Sequence, residues 1–460
     1  MIKMNDEVFK IEGDTLVKYT GDAEEVVIPS GIKKVGVEAF AQNKIVKKVD
    51  LNEVAELDYR AFYCCFNLES VIAASVVVVC EDAFRACHSL CTITFGKLER
   101  VGDRAFFGCM YLTEITGTQN LVDIGVEGFH GTKFTHIDIS PDAVRIGGGA
   151  FSCSDIISFT VPSGIKTLES CVFSGCEKLK RVTLPDGLER IENGAFFGCQ
   201  MIKYIELPSA LTHIGRDAFE RCRIADICNN SDLEIKAGSG KHQNVALYAV
   251  HVYSPREGRP TREIIDDYVF CVDERNDTPY LLEYLGNEKD LILPKDFHGK
   301  SYRIFKFAFA ESDITSVDFG SGVEAIENLA FYNCESLSSV KLGGVKVIDR
   351  LAFKLCKSIT SVDLNDIEII GVGAFLGTGM KYVVVGKSVR EIRRCAFDYC
   401  RDFSRIYYYG TPDELKNVKM SGGWGEFIIR ITRYYSEKEP TDTEYGYWHY
   451  VDGKVTEWTL

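Results

Sequence analysis

The chain has 460 residues, with 53 Lys plus Arg against 67 Asp plus Glu, a net charge of −14. That balance disfavours nucleic acid and anionic membrane as partners, and no basic run argues otherwise. No stretch approaches the roughly 18 apolar residues of a membrane span, and residues 1–10 lack the apolar core of a secretory leader, so the expectation is an intracellular chain or one whose export signal lies outside this sequence.

From the N-terminus, residues 8–29 read as strand, turn, strand. Phe9 and Ile11 alternate with Lys10 and Glu12, and Gly13-Asp14 and Gly21-Asp22 supply the turns. The segment is expected to cap a repeat array that begins directly after it. Phenylalanines stand at Phe40, Phe62, Phe84, Phe106, Phe129, Phe151, Phe173, Phe196 and Phe219, then at Phe309, Phe331, Phe353, Phe375 and Phe397. The gaps are 22 or 23 residues, apart from 90 between Phe219 and Phe309. Five places before each ring stands an aliphatic residue, from Val35 to Ile392, and directly before it an alanine, except at Gly128 and Val172. A period in the range of about 20–29 residues with this spacing is that of leucine-rich repeats, whose units must stack because none can bury its apolar side alone.

Within each unit the residues after the ring predict a short strand, as at 90–95, 112–115, 134–139, 179–184 and 202–207. Consecutive strands are expected to lie parallel in one long sheet, and the Ala-Phe step to form a tight helical turn. Between 228 and 303 the period is lost: 245–253 predicts a short helix, and 269–294 repeats the plan of the N-terminal cap. After Phe397, Thr411 before Pro412 predicts a helix start, 427–435 a strand, and 445–458 an aromatic hairpin turning at Asp452-Gly453. The domains so read are a cap hairpin (1–34), a first array (35–227), a bridging segment with a second cap hairpin (228–303), a second array (304–406) and a C-terminal cap (407–460).

The unit Leu179 to Cys199, LKRVTLPDGLERIENGAFFGC, resembles the BspA-like leucine-rich repeat family of bacterial and protist surface proteins. The resemblance covers nearly the whole chain. It implies a repeat solenoid, leucine-rich-repeat-like and β-rich with short helical turns, which the two cap-like segments divide into two stacked arrays of parallel strands, each with an opening β-hairpin cap. It also implies a non-catalytic binding scaffold for protein-protein or adhesin-like interactions, with no cofactor and a protein or glycan ligand.

The chemical candidates are few. Nine of the 17 cysteines (Cys65, Cys87, Cys109, Cys176, Cys199, Cys222, Cys334, Cys356 and Cys400) stand three after a landmark ring, where other repeats carry Asn43, Thr132, Ser154, Ser312 and Thr378. A slot shared by such residues wants a small buried side chain rather than a disulfide. Gly371 to Gly377 misses the dinucleotide spacing by one and falls on repeat landmarks. The eight histidines form no H-x-x-x-H pair, and no Ser/His/Asp set stands out, so no catalytic or metal-binding residue is assigned. A surface is the better candidate. Next to last in each strand stands an outward position, occupied by Thr94, Thr116, Asp138, Thr160, Thr183 and Glu206, then Asp318, Lys341 and Asp363. Stacking would align these as a ladder, which serves equally as a docking face or as a solvated one. Two rivals stand beside the scaffold reading: an enzyme with its site in 228–303, and a structural spacer. The terminal aromatics Tyr445, Tyr447, Trp448, Tyr450 and Trp458 are read as cap packing, with a ligand platform as the alternative.

Overall fold

The landmark phenylalanine sends its amide sideways to the next coil in twelve of the fourteen coils. Phe40 N donates to Ala61 O at 2.8 Å, and Phe62 N to Ala83 O and Phe84 N to Ala105 O at 2.7 Å. The residues two before and two after the ring are left-handed, as at Arg60 (φ 56°) and Cys64 (φ 57°). Bonds such as Ala61 N to Asp58 O (3.1 Å) and Tyr63 N to Arg60 O (3.0 Å) close the turns. The Ala-Phe step is thus a pair of tight turns, not the helical turn expected. Left-handed residues on both sides interrupt the helical run, and the amides find their acceptors between coils instead of four residues back.

The computed structural model describes residues 8–247, 249–254, 262–273, 276–421, 425–441 and 445–459. It is a β-solenoid of about 18 turns with almost no helix. The chain divides into two compact units, Met1–Arg259 and Pro260–Leu460.

In the first unit the rings from Phe40 to Phe219 stack nearly parallel, with centroids 4.6–5.8 Å apart. In the second, Phe309 to Phe397 stack at 4.8–5.8 Å. All fourteen are buried. Burial of such a ring is worth about 1.5–3 kcal/mol, and the alanine before it is small enough to let neighbouring coils approach at the spacing of strands. The cysteine slot lies beside this column. Each of its nine thiols donates to the carbonyl of the landmark phenylalanine one coil earlier, at 2.9–3.2 Å.

Nearly every coil contributes two short strands, where one was expected. The aliphatic landmark five before the ring ends a two-residue strand. In the first unit Lys34–Val35, Glu56–Leu57, Val78–Val79, Arg100–Val101, Asp123–Ile124 and Arg145–Ile146 form a parallel ladder that continues the antiparallel hairpin Phe9–Glu12 with Thr15–Tyr19. The segment after the cysteine slot forms the second ladder: Glu25–Val27, Lys48–Asp50, Ser70–Ala73, Thr92–Phe95 and Glu114–Thr116. This ladder is interrupted at residues 134–139, which form no strand. It resumes as Ser158–Thr160 with Arg181–Thr183, and then as Tyr204–Leu207, Asp226–Asn229 and His251–Tyr253. In place of a helix over 245–253 the chain has turns through 247 and then the strand His251–Tyr253.

In the second unit the hairpin Tyr268–Asp273 with Thr278–Tyr284 leads into a parallel ladder through Tyr302–Ile304 to Lys419–Met420. Helix Pro412–Lys416 has Thr411 as its N-cap, in a reciprocal capping box with Glu414. The strand expected over 427–435 is instead helix Gly425–Ile431 followed by strand Thr432–Tyr435. Ile428 and Ile431, spaced by three, are both buried, and a short apolar run of this kind fits either element until packing decides.

Candidate functional site

Alternation in the second ladder fixes one outward column. In Ser70–Ala73, Val71 and Ala73 enter the core, which leaves Ile72 facing out. Register then stacks Val27, Asp50, Ile72, Thr94 and Thr116 directly beside one another across one sheet. Thr160 pairs with Thr183, and Glu206 with Cys228, which in turn pairs with Tyr253. Asp138 departs from the expected arrangement: it is exposed but lies outside any strand, with its Oδ1 3.0 Å from His136 Nε2. The nine positions therefore form separate short columns rather than one ladder.

In the second unit Ile292, Asp318 and Lys341 stack in register, with Lys341 Nζ 3.5 Å from Asp318. Asp363 begins another column that continues through Val384, Tyr407 and Arg433. Its carboxylate accepts the Asn365 amide at 3.0 Å, and desolvation raises it above its ordinary pKa. Attention to polar residues alone misses three members of these columns. Val27, Ile72 and Ile292 are 61%, 52% and 78% exposed. Their signal was available, since they hold the same place in the strand as the threonines.

Val384 holds the same outward place, yet it is 4% exposed. The strands Tyr447–Val451 and Lys454–Glu457 pair antiparallel through Asp452 and Gly453, as the sequence predicts. They then arch over the outward face. Trp448 is fully buried and donates Nε1–H to Tyr408 O at 3.2 Å, and its ring packs on Tyr407 and Tyr409 at 5.6 and 5.0 Å. Glu457 accepts from Arg405 Nε at 2.8 Å and from Tyr407 Oη at 3.0 Å, and lies 3.5 Å from Arg433 Nε. Desolvation, then the Glu457 charge, pushes the Tyr407 phenol up to about 12. Burial would raise Glu457, but its bonds from Arg405 and Tyr407 leave it below the usual range.

Two further clusters of titratable groups stand among the described residues. Glu56, Asp58 and Cys80 bring ligand atoms within 4.8 Å of one another. Lys34 Nζ already sits 2.8 Å from both carboxylates, and those two bonds raise its pKa. At the end of the first unit, Asp226 lies beside His251 (3.6 Å), both buried, on the sheet face that also carries Cys228. Desolvation raises the Cys228 thiol, the opposite of what a nucleophilic cysteine needs. A groove of about 190 Å³ nearby is lined by Asn229 to Asp232, Ile235 and Val252 to Ser254, with Asp232 as its one carboxylate. Gly147 and Gly148 line an open groove of about 520 Å³ between the strands Arg145–Ile146 and Thr167–Leu168.

The family model described as BspA type leucine rich repeat region (6 copies) matches residues 11–130, 79–196, 166–238 and 287–404. The chain belongs to the BspA-type leucine-rich-repeat family. Solved structures similar to this BspA-type chain include a leucine-rich cell surface protein from Faecalibacterium prausnitzii A2-165, 22% identical, covering 90% of this chain and 96% of that one, with a TM-score of 0.38. A leucine-rich repeat protein from Bacteroides ovatus is 24% identical, covering 84% and 91%, with a TM-score of 0.38. The pneumococcal vaccine antigen PcpA is 16% identical, covering 93% and 91%, with a TM-score of 0.36. No curated protein matches the chain. Among the described residues of this BspA-type chain, no helix is long and apolar enough to cross a membrane.

Proposed function

We propose that the chain is a non-catalytic binding scaffold, adhesin-like in character, whose outward strand columns engage a protein or glycan ligand. The observation that carries this reading is the column Val27, Asp50, Ile72, Thr94 and Thr116. It is a run of in-register outward side chains in which two aliphatic residues stand more than half exposed among hydroxyls and one acid. Val27 and Ile72 offer a partner apolar contacts beside polar neighbours that fix orientation, which is the make-up of a docking face. The similarity to a cell surface protein agrees with an external partner. A site in 228–303 has less support, because among the described residues the groove at Asn229 to Ser254 is lined by one carboxylate, Asp232, and by no histidine.

The test is affinity capture with the intact chain against surface extracts and glycan arrays, repeated with Ile72→Ser and with Thr94→Ala/Thr116→Ala. These positions are exposed, so thermal stability should hold while capture weakens. Capture that survives all of these substitutions would remove the column from the binding role. A screen that returns no reproducible partner would favour the structural spacer.

A further inference from the structure

The same outward position is open at Val27, Ile72 and Ile292 and closed at Val384, in the column whose next members, Tyr407 and Arg433, meet the chain's own C-terminal hairpin. Building on the reading of the outward face as the binding face, we infer that this hairpin is a built-in occupant of the second unit's recognition face. The partner it keeps out is an extended, acidic, aromatic-bearing protein segment, which puts a carboxylate where Glu457 lies between Arg405 and Arg433 and a ring where Trp448 lies against Tyr407 and Tyr409.

Three features separate this hairpin from a plain end cap. Its main-chain attachment among the described residues is short: Tyr434 pairs with Tyr447 and Tyr435 with Trp448, with Tyr434 N donating to Gly446 O and Ser436 N to Trp448 O at 2.9 Å, while Tyr382–Val385 and Arg405–Tyr408 pair at four positions. Its hold comes instead from side chains that reach far back along the face. Glu457 bridges to Arg405 and Arg433, and the Tyr450 ring lies 6.3 Å from that of Tyr409. Those contacts have the make-up of a peptide complex, with a buried tryptophan whose N–H is satisfied and a carboxylate held by two guanidinium groups. Departure of the hairpin would leave Arg405 and Arg433 without that carboxylate and uncover Tyr407, Tyr409 and Val384. A replacement segment therefore has to be acidic as well as aromatic.

The experiment uses the full chain carrying Glu457→Gln and, separately, Trp448→Ala. Hydrogen exchange is followed by mass spectrometry, and a labelled synthetic peptide of residues 445–459 is titrated. The expected result is faster exchange over 445–459 in both variants, with Tyr382–Val385 and Arg405–Tyr408 as protected as in the parent. The peptide should bind the variants at least about tenfold more tightly than the parent, whose face is already filled, and a peptide with Gln at 457 should lose about tenfold. Exchange that rises through Arg405–Tyr408 and Thr432–Tyr435 together with the hairpin would make it a structural closure and overturn the inference. An opened, folded variant that ignores the peptide would overturn it too. The first unit's face is untouched in these variants, so capture through Ile72 and Thr94 stands or falls on its own.

Discussion

The thiol of Cys87 donates to the carbonyl oxygen of Phe62, one coil back, at 3.1 Å. This bond ties two consecutive coils at the point where their rings stack at 5.1 Å. Cys87→Ala removes the donor and leaves a small void, and should lower the free energy of unfolding by about 1–2 kcal/mol. Cys87→Ser should lose less, since it keeps a donor and fills more of the slot than alanine, and hydroxyls are housed there elsewhere: Thr132 Oγ1 donates to Phe129 O of its own coil at 2.8 Å, and Ser154 Oγ lies 3.4 Å from Cys176 Sγ. Urea denaturation of both variants decides it. A serine variant weaker than the alanine would mean the slot selects apolar sulfur rather than a donor.

Burial pushes the Cys109 and Cys176 thiols from the ordinary 9.0 up to about 12. In the unfolded chain these groups ionise near 9, while in the folded chain they keep their protons. Their contribution is therefore fully present below pH 9 and is lost as pH rises from about 9 towards 12, by up to about 1.4 kcal/mol per pH unit for each group. Unfolding free energies measured between about pH 8 and about pH 11 should fall less steeply in Cys109→Ala than in the parent. Identical slopes would show that this thiol does not resist ionisation in the fold.

Asp82 is buried at the turn column and accepts from Arg60 Nε and Arg104 Nε at 3.3 Å and from Arg85 at 3.4 Å. Arg60 also lies 4.8 Å from the ring centres of both Tyr59 and Tyr63. Asp82→Asn keeps the shape and tolerates the left-handed backbone (φ 56°) but removes the charge. Because the three arginines are only partly covered, the expected loss is about 2 kcal/mol rather than the full cost of breaking a wholly buried pair. Chemical denaturation at low and high salt checks this. A change below about 0.5 kcal/mol would show that solvent takes over the pairing.

Gly108 holds φ +75°, and a Cβ built there meets no atom within 4 Å. Gly108→Ala thus isolates the backbone effect and should cost about 1 kcal/mol. The same turn position one coil earlier is Ala86, at φ 58°. Ala86→Gly should relieve that strain at the cost of a more flexible unfolded chain, for a gain below about 1 kcal/mol. Thermal melts that move in opposite directions for the two variants would support the account, and a stabilised Gly108→Ala would refute it.

The sequence by itself determined the coil. The spacing of Phe84, Ala83 and Cys87, repeated along the chain, specifies which side chains enter the core and which coil each one meets, because a short-period solenoid makes contact mostly with its nearest repeat. The outward column was legible by the same logic wherever the strand formed, as at Thr94 and Thr116, but not at Asp138, whose segment forms no strand. The tertiary structure alone decided that the aliphatic landmarks pair into a ladder of their own, that Gly425–Ile431 is helical, and that Val27 faces solvent while Val384 does not. Arg405 and Glu457 stand 52 residues apart, and no local period predicts that meeting. Coverage of a face depends on where a non-repeating tail comes to rest, and that is set by the packing of the tail against the finished array.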